Sequence, residues 1–374
     1  MREQTTFDNP AAVLLEERQA PHGKRVAVAT LNAPKSLHAL TLEMIRLLDA
    51  ALVRWAADPA ISCVVLQSST DKAFCAGGDV RSLRDSILAA PQQFPNLDAQ
   101  TFFSEEYRLD HRIHTYAKPI MVWGGGIVMG GGLGLMAGGS HRVVTETTRI
   151  AMPEISIGLF PDVGGSWFLP RMPGRSGLFL ALTGAPLNAG DALFTGLGDY
   201  FILQQDREAV VEALCQADWD NTGAQVMDSV LRRFAATEER LPASEVSAHF
   251  DAIQAMTASR VLEEVTATIA AYDGDAAWLQ RAAKTLKAGS PFSAALAWAL
   301  QDSARHLSLD SVFRMELTAA LHCCAYPDFV EGVRALLVDK DNAPRWQAAT
   351  GRDLTAAAAQ CFTPLWEPHP LSDL

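Results

Sequence analysis

The sequence predicts an α/β core followed by a mainly α-helical C-terminal region, and three observations carry this. Short apolar runs alternate with stretches of helical spacing over roughly the first 180 residues, the pattern of strands interleaved with helices. After about residue 206 strand signals become scarce and helical periodicity dominates, as in VLEEVTATIAAY, SAALAWALQDSARHL and SVFRMELTAALHCCA. Two glycine-rich turns, FCAGGD (74–79) and GGGIVMGGGLG (124–134), each follow a short apolar run. The segment QQDRE (204–208) breaks the apolar pattern, so residues 1–205 are assigned to the core and 206–374 to the helical region.

In chain order, the runs AVLLEE and RVAVATLN flank APHGK, whose proline and glycine favour a turn, and predict a β-hairpin over 12–31. Thr41 is the N-cap candidate for the helix LEMIRLLDAALVRWAAD, which Asp58-Pro59 ends. SCVVLQS (62–68) reads as a buried strand and TDKAFCAGGD as the loop after it. Residues 100–117 form an amphipathic helix stopped by Lys118-Pro119, and IMVW (120–123) is a second buried strand. HRVVTE and RIAM read as short strands, and helix and loop alternate from Gly174 to about 203.

The bulk composition bounds the function. With 374 residues, 49% of them hydrophobic, the chain can bury a large core. Acidic residues outnumber basic ones by 43 to 31, a net charge of −12, which disfavours nucleic acid and anionic membranes as partners. Any polyanionic ligand must then be held by local features. Cys63, Cys75, Cys215, Cys323, Cys324 and Cys361 form no CxxC pair. Reduced thiols and a start without an apolar run, MREQTTFDNPAA, lead to the expectation of a cytoplasmic protein. No uninterrupted apolar stretch reaches the length of about 18 residues that a membrane span needs. The histidines, His38, His111, His114, His141 and His322 among them, lack metal-ligand spacing, so no metal is expected.

The glycine turns carry the first chemical signal. A glycine run opening a helix leaves main-chain N–H groups free, and glycine lets a ligand approach the backbone. Two such turns at neighbouring strand ends can each give one N–H to the same oxygen, an oxyanion hole. GGGIVMGGG meets the dinucleotide fingerprint poorly, and no GK[ST] follows to make a phosphate loop. The competing structural reading is close helix–strand packing around small residues.

The second signal is MPEISIGLFPDVGGSWFLPR (152–171), which sets Glu154 and Asp162 among apolar and small residues. Burial raises carboxyl pKa values and suits such groups to acid–base work. For each residue alone, capping a turn or helix is an equal alternative. Ser166 stands in GGSWF, not in a GxSxG nucleophile elbow.

Together, LNAPKSLHALTLEM (31–44), KAFCAGGDV (72–80), GGGIVMGGGLGL (124–135) and MPEISIGLFPDVGG (152–165) resemble the crotonase (enoyl-CoA hydratase/isomerase) superfamily in content, order and interval. The resemblance implies a crotonase-like ββα spiral core with acyl-CoA lying across the glycine turns. It implies oxyanion donors at Gly78 and Gly131, with Ala76, Gly77, Asp79, Gly130 and Gly134 as the surrounding substrate-binding residues. Where enoyl-CoA hydratases carry the first of two glutamates, in GGGCE, this chain has Gly134; the second matches Glu154. The 3-hydroxyisobutyryl-CoA hydrolases instead pair that glutamate with an aspartate, here Asp162, and share FFSEEY (102–107) and DFVEGVRALLVDKDNAPRW (328–346).

The resemblance spans roughly 12–365. It departs at MELTAA (315–320), where the family has MEYR and this chain has Leu317 and Thr318. It implies hydrolysis of a short-chain 3-hydroxyacyl-CoA, 3-hydroxyisobutyryl-CoA to 3-hydroxyisobutyrate and CoA, a step of valine catabolism. Glu154 would activate water or form a transient anhydride, with Asp162 beside it and no cofactor beyond the substrate's own CoA. Lys35 and Lys340 are the candidate cations for the CoA phosphates, each equally readable as an ordinary exposed lysine. One-base enoyl-CoA isomerase or hydratase-type chemistry is the alternative, and a non-catalytic acyl-CoA-binding subunit is the alternative of another class. The superfamily often assembles through C-terminal helices into homo-oligomers; here those helices can equally fold over their own core.

Overall fold

A computed structural model describes residues 11–219, 222–347 and 351–374. The expected hairpin is present: β1 (Val13–Gln19) pairs antiparallel with β2 (Arg25–Leu31), Val13 opposite Leu31. Helix α1 (Leu42–Ala57) begins where Thr41 accepts the Met44 N–H at 3.2 Å and ends at Asp58. Then follow β3 (Ile61–Ser68), β4 (Ala73–Cys75), α2 (Val80–Ala89) and α3 (Leu97–His114). Next come β5 (Ile120–Gly124), β6 (Ile127–Met129) and α4 (Gly131–Ala137). The strands close with β7 (His141–Val144), β8 (Arg149–Ala151) and β9 (Tyr200–Phe201), with α5 (Gly165–Phe168) between the last two.

The strands sort into two sheets by a repeated rule. β3, β5 and β7 enter a six-stranded sheet of order β1-β2-β3-β5-β7-β9. Each is followed by a short strand, β4, β6 or β8, that enters a three-stranded sheet in that order. All pairings except β1–β2 are parallel. A helix or helical turn then carries the chain to the next pair, so the core is a spiral of ββα turns.

The large sheet is buried on both faces, which is why its strands read as continuous apolar runs rather than alternating ones. Ala27, Ala29, Val64, Leu66, Ile120 and Val122 face the main core. The residues between them, Val26, Val28, Cys63, Val65, Met121 and Trp123, face a second core. Helices Arg207–Cys215 and Gly223–Phe234 close that second core with Val210, Val211, Leu214, Met227, Val230 and Leu231.

After Phe201 no further strand occurs among the described residues. The later helices join the main core: Leu300, Phe313, Leu321 and Phe329 pack in one cluster with Leu48, Tyr107 and Phe160 of the spiral. Helix Leu309–Ala325 runs against α3, and helix Pro327–Val333 against α2. No helix among the described residues is long and apolar enough to cross a membrane.

Candidate active site

The small sheet assembles the site. Because β4, β6 and β8 are parallel neighbours, their carboxyl ends lie side by side. The residues that leave those ends are Ala76–Asp79, Gly130–Gly131 and Pro153–Glu154. Motifs separated by dozens of residues are thereby set around one cleft of about 690 Å³, within the size range of small-molecule sites.

Two glycines are required by geometry rather than by mobility. Gly130 has φ +48, and a Cβ there would lie 3.0 Å from Glu154 Oε1. At Gly132 a Cβ would run into the Cys75 carbonyl, so α4 can sit directly on β4 only without a side chain. α4 therefore starts at the cleft floor, with Gly131 as its first residue and its N–H outside the helical bonding pattern. A Cβ on Gly131 would lie 3.4 Å from the Gly78 nitrogen, so the two turns meet. At the first turn, the Leu40 N–H bonds to Gly77 O and the Asp79 N–H to Leu40 O, at 2.8 Å each. Among the described residues no carbonyl accepts the Gly78 or the Gly131 N–H. Two converging free donors are the geometry of an oxyanion hole.

Carboxylates surround these donors. Glu154 opens a 3₁₀ turn (Glu154–Ile157) and is 4% exposed, its Oε2 unpartnered. Asp162, also 4% exposed, accepts the Tyr107 hydroxyl at 2.7 Å. Burial, reinforced by the charge of Asp162, pushes Glu154 well above the usual carboxyl range. Burial also raises Asp162, to about 6, against the lowering effect of the Tyr107 hydroxyl. Asp162 therefore ionises while its neighbours still hold protons, and the site carries an acid and a base together.

Of the residues expected from sequence, Lys35, Ala76, Gly77, Gly78, Asp79, Gly130, Gly131, Glu154, Asp162 and Lys340 all line this cleft. Gly134 does not. It lies beneath, where a Cβ would meet Val163 Cβ at 2.6 Å and Asp110 Oδ2 at 3.0 Å. Lys35 and Lys340 are exposed, in contrast to the buried acids of the same lining. Lys340 arrives with Leu336 and Leu337, so the helical region forms part of the wall. Trp167 and Phe168 lie outside the cleft lining; Phe168 is buried in the main core and Trp167 stacks under Arg171 at 4.3 Å. Leu317 and Thr318 likewise miss the cleft, Leu317 entering the core and Thr318 bonding to Arg314 O.

The structure adds carboxylates that sequence reasoning missed. Glu106 lines the cleft, is 2% exposed, and points an unpartnered Oε1 at Gly131. Asp110, one helical turn further along α3, is buried beside Gly134 with both oxygens unpartnered. Burial first, then neighbouring carboxylates, raises both well above the usual range. Their signal was available: in FFSEEYRLDHRI the two fall on the apolar stripe of the helix with Phe102, Phe103, Tyr107 and Ile113. No group of metal-holding side chains occurs among the described residues.

With fold and site in view, the kinship follows. Residues 26–362 match the family described as enoyl-CoA hydratase/isomerase, and the chain belongs to that family. It is 38% identical over 346 residues to the mitochondrial 3-hydroxyisobutyryl-CoA hydrolase of Danio rerio, covering 92% of this chain and 88% of that one. The Homo sapiens protein of the same name is 35% identical over 351 residues, covering 93% and 87%. Among solved structures, a carnitinyl-CoA dehydratase from Mycobacterium thermoresistibile matches with a TM-score of 0.84 at 33% identity, over 96% of this chain and 98% of that one. An enoyl-CoA hydratase from Rhodobacter sphaeroides 2.4.1 matches at 0.80 and 32%, over 95% and 98%. The crotonase-like core expected from the motifs is thus the fold of this chain, and the match extends through its helical region.

Proposed function

We propose that this protein hydrolyses a short-chain 3-hydroxyacyl-CoA thioester, with 3-hydroxyisobutyryl-CoA as the substrate to test first. One observation carries the reading: two unengaged N–H groups, Gly78 and Gly131, converge where Glu154 and Asp162 share a buried cleft. The thioester oxygen sits between the two donors, which stabilise the charge that develops on it. Glu154, whose Oε1 lies against Gly130, acts once its proton has passed to the Asp162 carboxylate, and either activates the attacking water or attacks the thioester carbon directly. Asp162, ionised first, accepts the proton released. On the water route the water oxygen joins the acyl carbon and its proton goes to Glu154, the C–S bond breaks with its electron pair on sulfur, and Asp162 passes its proton to the thiolate. On the direct route a Glu154 oxygen joins the acyl carbon as the C–S bond breaks, Asp162 protonates the thiolate, and water then cleaves the anhydride to free the acid and Glu154.

The unpartnered Glu106 Oε1 offers a hydrogen-bond partner to a hydroxyl on the acyl group. Lys35 and Lys340 supply local positive charge for the CoA phosphates in a chain of net charge −12. The hydrolase relatives support thioester cleavage as the reaction. The six buried thiols suit a reducing compartment, cytoplasm or mitochondrial matrix.

A second reading is water addition to an enoyl-CoA. It is favoured by Glu106, which gives the cleft a second glutamate although Gly134 lacks one. A panel of short 3-hydroxyacyl- and 2-enoyl-CoA substrates separates the two. Free thiol should appear with the hydroxyacyl substrates. Loss of the enoyl chromophore without thiol release would replace hydrolysis by hydration.

A further inference from the structure

We propose that Glu316, on the helix Leu309–Ala325 of the C-terminal region, is the positioning residue that holds the Asp162 loop in its working shape. The proposal rests on the reading of Asp162 as a catalytic carboxylate. Glu316 is fully buried and bonds to nothing on its own helix face but to the loop opposite. Its Oε2 accepts the Gly164 N–H and its Oε1 the Ser166 N–H, both at 2.8 Å. These are the two donors that flank the start of α5, two and four residues after Asp162.

The loop needs such a holder. Val163 lies at φ +52 and Gly164 at φ +86. The left-handed region is costly for a β-branched residue, and such backbone persists only where surrounding contacts over-determine it. Here three elements do so. Gly134 of α4 leaves room for the Val163 side chain, Phe313 packs under Gly164, and Glu316 pins the N–H groups on either side of Gly165. The Gly165 N–H in turn bonds to Asp162 O at 2.7 Å, and Tyr107 fixes the Asp162 carboxylate from α3. A carboxyl group can accept both N–H groups at once, one on each oxygen; an amide of the same shape presents its NH₂ donor to one of them. The bonds thus tie the geometry of Asp162 to a helix some 150 residues downstream.

The test is a double-mutant cycle on thiol release by the full chain. Glu316→Gln should lower kcat by about 10–100-fold while KM stays within roughly threefold, the signature of a misplaced group rather than lost binding. In an Asp162→Asn background the same change should cost less than about threefold more, because Glu316 acts through Asp162. Independent, multiplicative losses would overturn the proposal, as would a wild-type kcat in Glu316→Gln with only a lowered Tm. Should Glu316→Gln fail to fold, Glu316→Asp replaces it in the same cycle. That variant keeps the carboxyl group but is one carbon too short to reach both N–H groups, and a wild-type kcat in it overturns the proposal equally. Wild-type turnover in Asp162→Asn alone would instead remove the catalytic reading on which the proposal stands.

Discussion

Glu154, Asp162, Glu106, Asp110 and Glu316 are buried together; burial raises all five, and the charge of Asp162 raises the other four further. Asp162 escapes furthest from this penalty because Tyr107 donates a hydrogen bond that favours its charged form. The sign of the pH dependence follows. Below about pH 6 Asp162 is protonated and cannot accept a proton, so kcat/KM should fall as the pH drops through that value. Tyr107→Phe removes the stabilising hydroxyl, so the acid limb should move up by about one pH unit. A limb that stays in place, or moves down, in the Tyr107→Phe pH profile would mean that Asp162 does not control it.

At the scale of elements, the small sheet does the assembling. Each of its strands is three residues long, yet their order brings 76–79, 130–131 and 153–154 to one edge. Helix α1 locks the hairpin onto this core through Trp55, which is fully buried and donates its indole N–H to Glu17 at 2.9 Å. Trp55→Ala should cost about 3–5 kcal/mol, read as a lowered denaturant midpoint with the m-value unchanged. A loss below about 1 kcal/mol would show that α1 is not anchored there.

The elements most legible in the sequence are those with local causes: the hairpin from its turn residues, α1 from Thr41, and the glycine turns from their composition. Glu106 and Asp110 were less visible because α3 was read by its apolar periodicity alone, although both carboxylates interrupt its apolar stripe. Glu316 was illegible for a different reason. It is a single acid inside an apolar helix, and only the fold shows which N–H groups it meets. Gly134 was misjudged as a contact for substrate because it shares a motif with Gly131. Three residues on, almost a full turn and about 4.5 Å along α4, it lies beneath the cleft beside Asp110 and Val163.

At the scale of the whole molecule, the helical region is part of the working unit. It covers the outer face of the large sheet with Val210, Leu214 and Met227, and it fills the main core with Phe313 and Phe329. It reaches the cleft directly through Leu336, Leu337 and Lys340, and reaches Asp162 through the hydrogen bonds of Glu316. Arg81 of α2 donates to the Leu337 carbonyl, which fixes this wall to the spiral. On the proposed reading, the molecule gathers an oxyanion hole from backbone and an acid–base pair from buried side chains.

The central claim is that the two halves of this site act together on a thioester. It is tested most directly by single-turnover thiol release from 3-hydroxyisobutyryl-CoA in wild type, Gly131→Ala, Glu154→Gln and Asp162→Asn. A methyl at Gly131 fills the space between its own N–H, that of Gly78 and the Glu106 carboxylate. The account predicts fast release by wild type and losses of about 10²–10³-fold or more in each variant, with the fold retained. Release at the wild-type rate by Glu154→Gln and Asp162→Asn would contradict it.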